Sequence, residues 1–195
     1  MKLGVPMILY LHGFGSNGNA FKARLIKRLY PEIPIVSPDL PFEPSRAISL
    51  VKTIIEQRPK NEKCLIIGSS LGGFYGLHLS VTLNIPAVLL NPTVQPVTDL
   101  KKRIENETDF DHQLLKGWQS DYLDQMSNLY HEPEDIRNCN IHVYLNRDDE
   151  LLNYRIAQNY FEKCGCKLTI SDTGGHVFLN FTKILPEIID YLHNL

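Results

Sequence analysis

Ile66-Ile67-Gly68-Ser69-Ser70-Leu71-Gly72-Gly73 is the stretch on which the fold turns. The apolar run Cys64-Leu65-Ile66-Ile67 reads as a buried strand, and a helical pattern opens near Leu71. Between them lies Gly-x-Ser-x-Gly, so the chain must reverse sharply within a few residues. A turn that tight holds its central residue at a strained backbone angle. Gly68 and Gly72 remove the side chains that would collide with the incoming strand and the outgoing helix. Ser70 is left with its hydroxyl projecting at a helix N-terminus, where backbone N–H groups and the positive dipole end favour a developing oxyanion. That is a setting for a serine nucleophile.

The pentapeptide alone is weak evidence. With Gly and Ser each at about 7% of residues, a chain of this length holds one by chance roughly once in fifteen. The bland reading is a purely structural strand–helix turn, and a phosphate-cradling loop is the other competing reading. The phosphate reading is poor because no Gly-Lys-Ser/Thr follows and Gly-x-Gly-x-x-Gly is absent.

Three further features decide for the nucleophile. His12-Gly13-Phe14-Gly15-Ser16 follows directly on the strand-like run Met7-Ile8-Leu9-Tyr10-Leu11. Such a loop supplies one oxyanion donor and the residue after the nucleophile supplies the other, which here are the N–H groups of Phe14 and Leu71. Ile141-His142-Val143-Tyr144-Leu145 alternates like a late strand, and Asn146-Arg147-Asp148-Asp149-Glu150-Leu151-Leu152 follows it. A carboxylate there can hold the base's ring N–H and stabilise the imidazolium. Asp149-Glu150-Leu151-Leu152 resembles the Asp-x-Val-Val that follows this strand in many hydrolases, which implies Asp149 as the acid with Asp148 the alternative; the bland reading is a solvated acidic turn beside Arg147. Finally, Asp172-Thr173-Gly174-Gly175-His176-Val177-Phe178 places a histidine on a glycine-rich loop after the short strand Lys167-Leu168-Thr169-Ile170. His12 also stands near an early strand, but it precedes the serine, whereas the order on this type of scaffold is Ser, acid, His. His12 is read as a loop-structuring residue. Ser70, Asp149 and His176, each at the end of a strand, form the expected catalytic set.

The chain's 195 residues suit one domain with one core, residues 1–195. With 43% hydrophobic and 22% charged residues the composition is ordinary for a globular protein. A net charge of −2 and the lack of a basic, aromatic-interleaved stripe give no argument for nucleic acid. No apolar run approaches bilayer length and the N-terminus enters a strand almost at once, so a signal peptide and a membrane partner are not expected. Cys64, Cys139, Cys164 and Cys166 show no zinc spacing and read as free thiols of a cytoplasmic protein. The seven histidines form no ligand spacing, and neither a metal nor a cofactor is expected. Strands are expected near 7–11, 34–37, 64–67, 86–90, 141–145 and 167–170. Helices are expected near 19–30, 44–58, 71–84, 152–164 and 180–193. This alternation argues for a mostly parallel sheet of about six strands covered by helices on both faces. Residues 92–138 interrupt the rhythm and read as a short lid or cap insertion. In it Trp118, Tyr122 and Met126 fall at helical spacing. They either pack onto the body or form an acyl-pocket wall.

At these residues the chain resembles the α/β-hydrolase superfamily, and within it the small bacterial YqiA-like esterases. Tyr10-Leu11-His12-Gly13-Phe14, the Gly68-Ser69-Ser70-Leu71-Gly72-Gly73-Phe74-Tyr75 elbow and Leu90-Asn91-Pro92 carry the likeness. Asp149-Glu150-Leu151-Leu152-Asn153-Tyr154-Arg155 and the Gly174-Gly175-His176 loop extend it over nearly the full length. The resemblance implies a compact esterase that acts on esters, and by extension thioesters, of small acyl groups through a Ser-His-Asp triad. Two departures stand out: Asp148 replaces the Gly usual before the acid, and no residue separates the glycines from His176. Other readings use the same scaffold: a catalytically silent ligand-binding or scaffold protein, or an amidase or acyltransferase. The sequence carries no signal for an oligomeric state.

Overall fold

Six short apolar runs find one another in a single sheet. The computed structural model describes residues 6–59, 61–105, 117–136 and 139–195. Within them the strands are β1 Met7–Leu11, β2 Ile35–Val36, β3 Cys64–Ser69, β4 Ala87–Leu90, β5 Ile141–Asn146 and β6 Lys167–Ser171. They lie in the order β2-β1-β3-β4-β5-β6, and every neighbouring pair is parallel. The helices are α1 Phe21–Leu29, α2 Pro44–Gln57, α3 Leu71–Leu83, α4 Pro96–Glu105, α5 Tyr122–Asn128, α6 Tyr154–Cys164 and α7 Phe181–His193, with a 3₁₀ turn at Pro133–Ile136.

Period-two alternation sends each strand's residues to two separate cores. Met7, Leu9 and Leu11 of β1, Ile66 of β3 and Leu89 of β4 pack with α2, α3 and α6 on one face. Ile8 and Tyr10, Leu65 and Ile67, Val88 and Leu90 pack with α1 and α7 on the other. Helix α3 runs behind the elbow with residues buried on every side, Gly72, Phe74, Tyr75 and Leu77 among them. That explains why its sequence shows no polar stripe. The expected strand near 34–37 shrinks to two residues because Pro34 and Pro38 bring no N–H to a ladder.

Chain order reverses between β1 and β3, which are neighbours although β2 intervenes in sequence. In open α/β sheets ligands bind at the carboxyl ends of strands flanking such a reversal. Here those ends carry His12-Gly13-Phe14 and Ser70. The expected insertion at 92–138 contains α4, α5 and the 3₁₀ turn, and α5 packs on α2 and α4. Residues 106–116 and 137–138 of that stretch, His112 with them, lie outside the described residues.

Candidate active site

The reversal from β3 to α3 forces Ser70 into an unusual conformation, φ 56° and ψ −120°. An L-residue pays strain there, of order 1–3 kcal/mol, and the surroundings must hold it. They do so from both sides. The Ser70 N–H donates to the Leu90 carbonyl at 3.0 Å, and the Ser70 carbonyl accepts from Gly73 and Thr93 N–H groups at 2.9 and 3.3 Å. A Cβ at Gly72 would run into the carbonyl oxygens of Leu11 and His12, so only glycine lets α3 start against the end of β1.

The three polar residues expected from the sequence meet. His176 Nε2 lies 3.0 Å from Ser70 Oγ. His176 Nδ1 lies 2.9 and 3.0 Å from the two Asp149 oxygens. The Asp149 side chain is 2% exposed and that of His176 13%, so the pair is shielded while the serine faces a cleft. Asp149 Oδ1 also accepts the N–H groups of Leu151 and Leu152 at 2.9 and 2.8 Å, which leaves Oδ2 turned to the ring. The missing spacer before His176 does not shorten its reach, because Gly174 and Gly175 adopt positive φ and curl the loop over the sheet.

The neighbouring acids Asp148 and Glu150 are exposed, yet both bond to the backbone of the His176 loop. Asp148 accepts Gly175 N–H at 2.8 Å and Gly174 N–H at 3.1 Å, and these bonds hold its carboxyl below the ordinary range. Glu150 accepts His176 N–H at 2.8 Å. Arg147 points away, to Asp172 at 3.3 Å. Three consecutive carboxylates therefore grip one loop, and only the middle one reaches the ring.

A cleft of about 450 Å³ opens over Ser70 and His176, within the usual size for a small-molecule site. Phe14, Leu71, Leu100, Leu151 and Ile156 give it apolar walls, while Asp99, Lys102 and Arg103 line its α4 side. The Arg103 guanidinium also sits 5.3 Å from the centre of the Phe14 ring. Burial pushes the Asp99 carboxyl upward, against the opposing bond from Thr93. Neither Phe14 N–H nor Leu71 N–H donates to a protein acceptor among the described residues.

Trp118, Tyr122 and Met126 are not among the residues lining this cleft. Met126 is fully buried in the core and Tyr122 is 7% exposed. Trp118 stands edge-on to the Phe14 ring at 5.9 Å and to Tyr122 at 5.2 Å. Only Tyr122 and Met126 lie on α5, which packs on α2 and α4, whereas Trp118 precedes the helix and backs the Phe14 ring, so the expected single helical face of three is not formed. His12 structures its loop, accepting Leu40 N–H on Nε2 at 2.9 Å with Nδ1 against the Gly13 carbonyl at 2.9 Å. Burial lowers its pKa. Among the described residues no three His, Cys, Asp or Glu side chains gather as a metal site. No helix among them is long and apolar enough to cross a membrane.

The sequence profile of the uncharacterised protein family UPF0227 matches residues 7–193. The chain belongs to this family. Among its relatives, UPF0227 protein YE1706 of Yersinia enterocolitica is 26% identical over 190 residues, covering 93% of this chain and 96% of the relative. UPF0227 protein YcfP of Escherichia coli gives the same identity and coverage. Among solved structures, mouse alpha/beta hydrolase domain-containing protein 10 superposes with a TM-score of 0.74 at 14% identity, over 98% of this chain and 92% of that one. Est1E of Butyrivibrio proteoclasticus, solved with ferulic acid bound, reaches 0.73 at 13%, over 96% and 88%. A lipase-esterase related protein of Clostridium acetobutylicum reaches 0.69 at 16%, over 95% and 93%. The fold of this UPF0227 chain is that of the α/β-hydrolases.

Sequence reasoning missed three asparagines of this UPF0227 site. Asn91 follows β4, Asn146 ends β5 and Asn180 precedes α7, and all three bond to one another or to the His176 loop. The Leu90-Asn91-Pro92 likeness and the position of Asn91 and Asn146 at strand ends were the hints, because a polar residue closing a buried strand needs a partner.

Proposed function

We propose that the chain is a serine hydrolase that cleaves carboxylic esters of small acyl groups, and by extension thioesters, through an acyl-enzyme. One observation carries this: Ser70, His176 and Asp149 form an unbroken hydrogen-bonded series at a cleft that Phe14 and Leu71 help to line. His176 Nε2 takes the Ser70 proton as Oγ attacks the carbonyl carbon, and Asp149 stabilises the imidazolium. The oxyanion is met by the N–H groups of Phe14 and Leu71. Collapse expels the alcohol or thiol, which receives the proton from His176. Water, deprotonated by the same ring, then releases the acid and restores Ser70. The apolar walls suit an acyl chain, and the esterases among the structural relatives support the same chemistry. It is tested by hydrolysis of p-nitrophenyl esters from acetate to decanoate. Ser70→Ala and His176→Ala are each expected to lose most of the rate, on the order of a millionfold at the limit. Folded wild-type protein that hydrolyses none of the series overturns the reading.

A further inference from the structure

We propose that Asn91 and Asn146 are positioning residues that set His176 against Ser70 by clamping the carbonyl just before it, a proposal that rests on the serine-hydrolase reading. Both side chains are buried, 3% and 0% exposed, where an amide is costly without partners. Both point their Nδ2 at one atom. Asn91 donates to the Gly175 carbonyl at 2.9 Å, and Asn146 donates to it at 3.0 Å. Asn91 also reaches the His176 carbonyl at 3.4 Å.

The other ends of the two amides are anchored in the scaffold. Asn91 Oδ1 accepts the Asn146 N–H at 2.8 Å, which continues the β4–β5 ladder one step past the paired residues. Asn146 Oδ1 accepts from Asn180 at 3.0 Å, and the same Asn180 amide donates to the Thr173 carbonyl at 2.8 Å. Asn91 is held in the left-handed region, φ 41°, to present its amide there. A Cβ at Gly174 would land on Asn146 Nδ2 and Asn180 Oδ1, so the loop is built around these groups. The clamp thus fixes the peptide that aims His176 from the strand ends, while Asp148 and Glu150 hold its N–H groups from outside. The angular error the reaction tolerates is small, since a displacement of about 1 Å can cost about a hundredfold in rate.

Asn91→Asp and Asn146→Asp are nearly isosteric and keep the acceptor oxygen while replacing the donor with a carboxylate oxygen facing a carbonyl. The rate of Ser70 labelling by a fluorophosphonate probe, and kcat on the best p-nitrophenyl ester, are expected to fall about a hundredfold with KM within about twofold of wild type. The ratio of variant to wild-type rate is expected to rise as pH is lowered, because a protonated carboxyl regains an O–H donor for the Gly175 carbonyl. Asp99, Asp148, Asp149, Glu150 and His176 face the loop in both proteins, so the ratio isolates the substituted position. A merely structural role would lower thermal stability and leave that ratio flat. Asp148→Ala removes an exposed outer contact and serves if the buried variants do not fold. It is expected to lose about tenfold in labelling rate, in line with one to two hydrogen bonds. Folded variants that label at the wild-type rate overturn the clamp alone. Wild-type protein that neither labels nor hydrolyses overturns the hydrolase reading, and the clamp with it.

Discussion

Asp148, Asp149 and Glu150 are chemically alike and stand side by side, yet their surroundings assign them separate tasks. Asp149 is shielded and meets the ring; Asp148 is exposed and meets two glycine amides. Asp149→Asn therefore exchanges a ring acceptor for an amide that favours the wrong imidazole tautomer. It is expected to lower kcat about 10⁴-fold, as in related triads. Asp148→Asn keeps one acceptor oxygen and is expected to lose no more than about tenfold. Steady-state kinetics on one ester, with both variants shown folded, decide the order; a greater loss in Asp148→Asn would reverse the assignment. Sequence reasoning favoured Asp149 on the likeness of the residues that follow it. The contacts of Asp148 and Glu150 were illegible, because they are made to backbone N–H groups 26 and 27 residues away.

At the scale of elements, the elbow was the most legible part of the molecule. Strand, turn and helix are written locally, and β3 and α3 lie within two residues of where periodicity puts them. What holds Ser70 in its strained state is non-local: the Leu90 carbonyl on β4 and the backbone of Leu11 and His12. Gly72→Ala drives a methyl into those two carbonyls and must push α3 away from β1. A loss of about 1–3 kcal/mol is expected, which for a chain of this size lowers Tm by roughly 2–12 °C. Ser70 labelling should fall with it, since the same displacement moves the nucleophile. An unchanged Tm would mean that α3 can slide without cost. The Trp118, Tyr122 and Met126 spacing read as one helix face, but α5 begins at Tyr122, so only Tyr122 and Met126 share a face, and its direction was not legible. A face turned toward α2 and one turned toward a cleft have the same sequence pattern.

At the scale of the whole molecule, two histidines, the half-buried His78 and the buried His142, make folding sensitive to acid. His78 and His142 are each pushed down to about 4 from 6.5, chiefly by burial. His131, 3.0 Å from His78, and Lys52 add to the first shift, and Lys167 adds to the second. Between pH 6.5 and 4 the unfolded chain binds protons that the folded chain refuses at these rings. Stability therefore rises with pH across that window. It is complete above the upper limit and is lost as pH falls toward the lower one. Tm measured by calorimetry or circular dichroism is expected to drop over this range, and His78→Gln should make the drop shallower. A flat Tm down to pH 4 would contradict the shifts.

The order Ser70, Asp149, His176, the alternation of strands and helices, and the Phe14 loop were all readable in the chain. Each depends on interactions between residues close in sequence or on a pattern repeated along one element. Folding alone decided that Asp148 and Glu150 hold the backbone of the His176 loop, and that Asn91, Asn146 and Asn180 grip the loop before His176. It also decided that the cleft walls come from α4 and the start of α6 rather than from α5. Those outcomes depend on which strand ends become neighbours in the sheet. The order β1-β3-β4-β5 brings residues 70, 91, 146 and 176 within hydrogen-bonding reach of one another's loops. No local propensity encodes that distance, because it is fixed by burial of the two cores on either side of the sheet.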